Sequence, residues 1–324
     1  MIYSLFTQVY TRAILVSTSK REDTESDMKI LTLTQRGSEA LLAAVIIARS
    51  TSLLLLKLGL ADMEAFTLMS LRFTTAGLIL LALFRRRIRA AGMAVFLRGA
   101  IIGAVFFAVL ACESTALRHT STSTTSFLEN TAVVIVPLLT AIITRRAPGR
   151  VTMLSALTSV AGVALLTLRS GFEGFGPGEL ICLATAVLYA CAIIVTGRLS
   201  RTGDTLVMGI GQVCTIAVLA SAAAFIFETP ALPARAADWG IVLALAVVCT
   251  IFGFTLQPVA QSGTTAERAA MFCALSPLSA GVLGVVFLHE SLGVSGLLGA
   301  ALILSGILLP NLPVFTQRRP ESRT

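Results

Sequence analysis

TTSFLENTAVVIVPLLTAIITRRAPGRVTMLSALTSVAGVALL spans Thr124 to Leu166, and TTAERAAMFCALSPLSAGVLGVVFLHESLGVSGLLGAALILSGILL spans Thr264 to Leu309. Each opens on a threonine pair. Pro137 follows Thr124 by the same interval at which Pro277 follows Thr264. Each stretch closes on an apolar run led by a glycine, Gly162 in the first and Gly306 in the second. Both prolines interrupt runs long enough to cross a bilayer. A ring nitrogen without N–H frees a backbone carbonyl there, so both prolines are hinge candidates. The two stretches stand half a chain apart and read as two copies of one unit.

Working outward, the same texture fills the chain. A bilayer core takes about 20 apolar residues of helix. Ten runs reach that length to within about two residues at each end: 39–58, 65–84, 95–117, 121–144, 151–168, 177–197, 204–227, 239–259, 265–288 and 293–312. Five spans per half is an odd number, so the halves must point in opposite directions. The expected fold is an all-α membrane protein of ten transmembrane helices, arranged as two inverted five-helix repeats with a site where they meet. The expected parts are a cytoplasmic tail (1–38), a first repeat (39–168), a second repeat (177–312) and a second cytoplasmic tail (313–324). Residues 19–27, SKREDTESD, mark the first tail as polar and charged. No long apolar segment with a small-residue cleavage site precedes them.

Composition agrees. Hydrophobic residues make up 56% of the chain and charged residues 13%, with mean hydropathy +0.88. A soluble protein is about 45–50% apolar and about 25% charged. The net charge of +8 would suggest nucleic acid in a soluble protein. Here the arginines flank apolar runs and orient the chain instead. Leaving the first tail out, fourteen basic residues fall on one side: Arg85, Arg86, Arg87, Arg89, Arg98, Arg145, Arg146, Arg150, Arg198, Arg201, Arg268, Arg318, Arg319 and Arg323. The other side has Lys57, Arg118, Arg169 and Arg235. By the positive-inside rule both termini are cytoplasmic. All six cysteines sit in apolar stretches without a CxxC, as small packing residues do. His119 and His289 lie at helix ends without partners, so neither metal nor cofactor is expected.

At these residues the sequence resembles the drug/metabolite transporter superfamily, of the ten-helix EamA type. The shared features are the two five-helix halves, the Ser/Thr-rich starts of the fourth and ninth spans (Ser121–Ser126, Gly263–Thr265), and the mid-helix Pro137 and Pro277. Glu290 after the ninth span and Leu71-Arg72-Phe73 ahead of the Arg85 cluster match too. Arg146 departs from the pattern, since the family commonly has Glu there, and no role is carried over to that loop. The resemblance implies a permease working by alternating access that exports or exchanges small metabolites or drug-like molecules.

Ionisable groups inside the spans single out a site. Each costs at least about 2.5–3.5 kcal/mol at the bilayer centre. Helix rise puts Arg49 and Glu129 roughly 12–13 Å, Arg72 about 11 Å and Glu113 about 6 Å below the outer ends of their helices. All four belong to the first half, with Asn130 beside Glu129; Tyr189, Gln212 and Gln257 are the polar candidates of the second. One reading makes the charges structural salt bridges. The other makes Glu129 or Glu113 a proton-coupling site and Arg49 a seat for an anionic substrate group. No GxxxxGK[ST] phosphate loop occurs. A secondary transporter, working as an exporter, is therefore the expected function. A membrane-embedded enzyme or a non-transporting scaffold or sensor is the alternative, and no catalytic constellation supports the enzyme. The expected partners are a small-molecule substrate, coupled protons and lipid, with no nucleic acid. A monomer in a bacterial plasma (inner) membrane is expected.

Overall fold

In lipid an apolar run has no hydrogen-bond partner for its backbone except itself, so it coils. The structure, a computed structural model, describes residues 34–60, 62–117, 119–120, 122–167, 176–279, 282 and 293–309. Among them every regular element is helical and there is no strand. In chain order the helices are α1 (Gln35–Gly59), α2 (Ala65–Ala91), α3 (Met93–Ala116), α4 (Thr122–Asn130), α5 (Ala132–Thr144), α6 (Arg150–Thr167), α7 (Pro177–Leu199) and α8 (Thr205–Phe227). Then come α9 (Ala236–Ala244), a π-helical segment (Leu245–Phe254), α10 (Thr255–Ser262), α11 (Ala266–Cys273) and α12 (Gly293–Leu308). Six stretches among the described residues are long and apolar enough to cross a membrane: α2, α3, Thr124–Thr144 through α4 and α5, α7, α8, and Ala236–Ser262 from α9 to α10. Arg150–Leu165 of α6 and Val294–Leu308 of α12 are shorter apolar helices. The expectations for Glu290, most of the first tail and the second tail fall outside the described residues.

Three helices differ from the sequence reading in instructive ways. The second continues past residue 84 to Ala91, carrying Arg85–Arg89 on its last turns, with only Phe84 (φ −109°, ψ 15°) leaving helical geometry. The fourth breaks at Thr131, six residues before Pro137, and Pro137 itself lies inside α5. The Thr131 hydroxyl donates to the Leu128 carbonyl oxygen at 2.5 Å, a local bond that competes with the helix ladder. After α11 the break at Ala274 is three residues before Pro277, within reach of the clash a proline ring makes with the preceding turn. The eighth span holds the π segment. Pro258 takes away the N–H that would bond the Phe254 carbonyl, and the hydroxyls of Thr250 and Thr255 donate to carbonyls five residues back, at 3.1 and 3.4 Å.

Lipid tails are as apolar as leucine, so close contact and polar bonds hold such helices together rather than the hydrophobic effect. α8 packs on α2 and α3, and α3 also packs on α7. α1 lies along the π segment and α10, α4 and α5 touch α7, and α5 meets α11. α6 packs on α12. There the two glycines of the repeated stretches face the opposite helix. A Cβ on Gly162 would come within 2.7 Å of the Gly299 carbonyl oxygen, and one on Gly306 within 2.8 Å of the Ser155 carbonyl oxygen. Only hydrogen fits at either position. Phe225, Phe227 and Ile142 point outward and stay exposed, as lipid-facing residues do.

Polar links sort to the two ends of the bundle. At one end Arg87 pairs with Asp204 at 2.6 Å, joining the end of α2 to the start of α8, and Arg268 pairs with Glu39 at 2.5 Å, joining α11 to α1. Arg98 donates to the Thr202 carbonyl and Arg201 to the Thr264 carbonyl at the same end. At the other end the Glu228 carboxylate accepts from the Phe66 and Thr67 amides at 2.8 Å each, capping α2 from the end of α8. Arg235 pairs with Asp62 and Asp238 there.

Candidate functional site

A cavity of about 660 Å³ opens at the acidic end of the bundle, where Leu60, Asp62 and Glu64 are exposed at its rim. Ile46 lines its deep part, roughly 21 Å down α1 from Leu60 at 1.5 Å per residue. Six of the eight predicted polar residues line it: Arg49, Arg72, Glu113, Glu129, Asn130 and Tyr189. They come from α1, α2, α3, α4 and α7, so the tertiary structure brings together groups spread over 140 residues of sequence.

Each side chain has a definite setting. Arg49 donates from Nη1 to Gln257 Oε1 at 3.0 Å, and its guanidinium carbon lies 4.2 Å from the centre of the Phe254 ring and 5.7 Å from that of Phe106. Arg72 is buried, at 4% exposure, with its guanidinium carbon 4.6 Å from the Phe73 ring centre and 5.8 Å from that of Phe254. Its Nε has no hydrogen-bond partner among the described residues. Asn130 turns its amide back to the Ser126 carbonyl at 2.7 Å. The Tyr189 hydroxyl lies 3.3 Å from the Cys273 sulfur, and both groups line the cavity.

Among the described residues no ion pair within 4.0 Å joins either arginine to Glu113 or Glu129. The four groups face a shared space instead of each other. Gln257 lies behind Arg49 and holds it without lining the cavity. Gln212 is not brought to the site. It is fully buried in α8, where its backbone packs on Gly103 of α3, and its amide has no partner among the described residues. Pro137 and Pro277 do not line the cavity either, although Ser276 beside Pro277 does.

Several lining residues escaped the sequence reading: Asp62 and Glu64 at the rim, and Phe254, Cys273 and Ser276 deeper in. Phe254 carried a signal, since Pro258 four residues on marks its carbonyl as unpaired and the helix as irregular. At the rim, hydrogen bonding and the charge of Asp238 hold the Arg235 guanidinium pKa above its ordinary value, with Asp62 adding to the effect.

The profile of the EamA-like transporter family matches the chain twice, over residues 38–168 and 176–312. The chain belongs to the EamA-like transporter family. Two relatives of this EamA-like transporter, each named an uncharacterized transporter, come from Archaeoglobus fulgidus. One is 25% identical over 273 residues, covering 84% of this chain and 85% of its own length. The other is 22% identical over 278 residues, covering 83% and 95%. A solved crystal structure shares the fold at a TM-score of 0.75 with 19% identity, covering 88% of this chain and 99% of its own. The EamA-like transporter is thus a multi-pass integral membrane protein of a transporter family.

Proposed function

We propose that this EamA-like transporter is a secondary transporter that carries a small molecule through the cavity by alternating access, in the direction of export, with Glu129 coupling movement to protons. The observation that carries the reading is the unpaired charge in the cavity. Four ionisable groups deep in a membrane would cost about 10 kcal/mol or more together if all were charged, as much as the net stability of a whole domain. A structural role would pair them; a cavity open to water at one end keeps them available for a ligand and a proton. The opposite end is tied by the Arg87–Asp204 and Arg268–Glu39 pairs, so the site communicates with one side only.

The double family match supports two repeats, 39–168 and 177–312. So does the packing. Exchanging α1 with α7, α2 with α8, α3 with the α9–α10 stretch, α4–α5 with α11, and α6 with α12 keeps the main helix neighbours, although the contacts of α7 with α10 and α11 and of α6 with α11 have no comparable counterpart among the described residues. With five spans in each half, such an exchange implies a two-fold axis in the membrane plane and ten spans in all. The arginine-rich end is then cytoplasmic, both termini lie inside a bacterial plasma membrane, and the cavity faces outward. Cysteines introduced at 230–238 react with impermeant reagents from outside and those at 85–91 do not; the reverse pattern rejects this orientation.

The decisive experiment is flux from proteoliposomes under an imposed pH gradient, screened over amino acids, cationic drugs and small metabolites, with Glu129→Gln alongside. The wild type moves at least one solute in response to the gradient. Glu129→Gln inserts and folds but loses the response. Normal pH-driven flux in Glu129→Gln makes the residue scaffold and ends the coupling proposal.

A further inference from the structure

Resting on the transport reading, the geometry points to an anion-binding subsite that neither half of the molecule can make alone: Arg49 and Arg72 of the first half, arranged around Phe254 of the second and braced by Gln257. The ligand chemistry it suits is a carboxylate or comparable small anionic group on the transported molecule.

Both guanidiniums lie on one aromatic ring. The Phe254 centre is 4.2 Å from the Arg49 guanidinium carbon and 5.8 Å from that of Arg72. Phe73 and Phe106 meet the same ring edge-on, at 5.1 and 5.9 Å, so Phe254 cannot tilt freely. A guanidinium over an aromatic face gains about 0.5–2 kcal/mol and keeps its N–H edges free, because it is the face that stacks. Stacking thus stabilises each cation here without using its donors. Two like charges so close repel unless something between them compensates, and the negative face of a ring can do that.

Both arginines line the cavity. Arg49 commits one Nη1 bond to Gln257, which accepts at 3.0 Å and fixes the rotation of the guanidinium. Arg72 is 4% exposed, lines the cavity, and has an Nε with no partner among the described residues. That Nε is enclosed, and a buried guanidinium donor left unmade costs about 1–3 kcal/mol or more, so Arg72 gains from any acceptor that its guanidinium can turn to meet at the cavity wall. Glu113 and Glu129 line the same cavity but lie outside ion-pair distance of both arginines among the described residues. The charge left for the arginines to bind is the ligand's.

The π-helical segment explains why Phe254 stands where it does. It is the last residue of that segment. The wider coil alters the register of every following side chain relative to an unbroken α-helix. Gln257 follows within the first turn of α10, so the stacking ring and the bracing amide are placed by one irregularity. Since α1 and α2 supply the charge and the second half supplies ring and brace, the subsite is intact only while the halves are apposed as they are here. Movement of one half against the other takes it apart, which is how a transported anion would be released.

The test uses the purified full-length protein in neutral detergent. Thermal stabilisation is titrated at constant ionic strength with acetate, benzoate, phenylacetate and succinate, each against its neutral amide. At least one carboxylate stabilises the wild type saturably and at lower concentration than its amide. Arg49→Gln and Arg72→Gln each weaken that half-saturation by about tenfold or more, as loss of a charge-assisted bond does. Phe254→Leu weakens it too, while Phe254→Tyr, which keeps the ring, restores the carboxylate-over-amide preference. Gln257→Leu weakens it less, and Gln257→Glu, which neutralises Arg49, abolishes the preference. If no carboxylate outperforms its amide, or if Phe254→Leu keeps the full preference, the subsite is refuted. Flux of the same carboxylates in proteoliposomes separates the two claims. Carboxylate binding without flux of any solute overturns the transporter and leaves the subsite. Flux of other solutes without carboxylate preference overturns the subsite and leaves the transporter.

Discussion

The two halves of this transporter contribute different chemistry to one cavity. Residues 38–168 supply every ionisable pair deep within it: Arg49, Arg72, Glu113 and Glu129. Residues 176–312 supply an aromatic ring (Phe254), a phenol (Tyr189), a thiol (Cys273) and, behind the wall, the amide of Gln257. Yet the main helix contacts of the two halves correspond, and Gly162 and Gly306 are each seated on the other's helix. Architecture tolerates exchange because it depends on helix length and small residues at contacts. Chemistry does not, because charges from one half already serve the shared cavity and a second set would add only desolvation cost.

The sharpest way to break that comparison is to move charge within the first half. Swapping Arg49 and Glu129 together would preserve a structural salt bridge. With no such bridge within 4.0 Å among the described residues, the double exchange takes the arginine off Phe254 and Gln257, and flux in proteoliposomes falls by about tenfold or more. Retained flux would return both residues to scaffold.

The architectural side of the comparison is tested by Gly162→Leu and Gly306→Leu. Each forces a side chain into backbone at a shared contact, and overpacking of that kind costs about 1–3 kcal/mol. Matching losses of melting temperature in detergent support equivalent halves. A loss confined to one variant shows that the α6–α12 contact is symmetric only in outline.

Smaller effects compare the two ends of the bundle. Glu228→Gln removes a carboxylate that caps α2 and should lower stability by about 1 kcal/mol. Glu39→Gln breaks the Arg268 pair at the arginine-rich end, and should change the accessibility of cavity cysteines such as Cys273 to reagent from that end more than it changes melting. If Cys273 labelling is unaltered, the pair does not hold that end closed. Arg235→Ala at the rim removes an exposed pair with Asp62 and the bonds to buried Asp238, and should lower melting slightly while leaving flux at wild-type values.

Most of the helical layout, and six of the eight polar site candidates, could be read from residues in order. The reasons are local. Twenty apolar residues have only one way to satisfy their backbone in lipid, and a charge such as Glu129 within such a run must face something other than lipid. Gln212 does not line the cavity: a neutral amide costs less to bury than a charge, so its presence in a span says less about where it points. The break at Thr131 was misplaced onto Pro137 because a proline is visible in sequence and a hydroxyl turning back on its own helix is not.

By itself, then, the sequence determined the membrane class, the helical runs, the arginine bias and the presence of ionisable residues within the spans of the first half, since each depends only on composition within a window of about 20 residues. Only the tertiary structure decided that the charges share one cavity, that Gln257 reaches across 208 residues to Arg49, and that two arginines share the Phe254 ring. Those facts depend on how helices rotate about their axes and which neighbours they choose. A π-helical segment resets the first, and close glycine contacts set the second, by distances that no window of sequence contains.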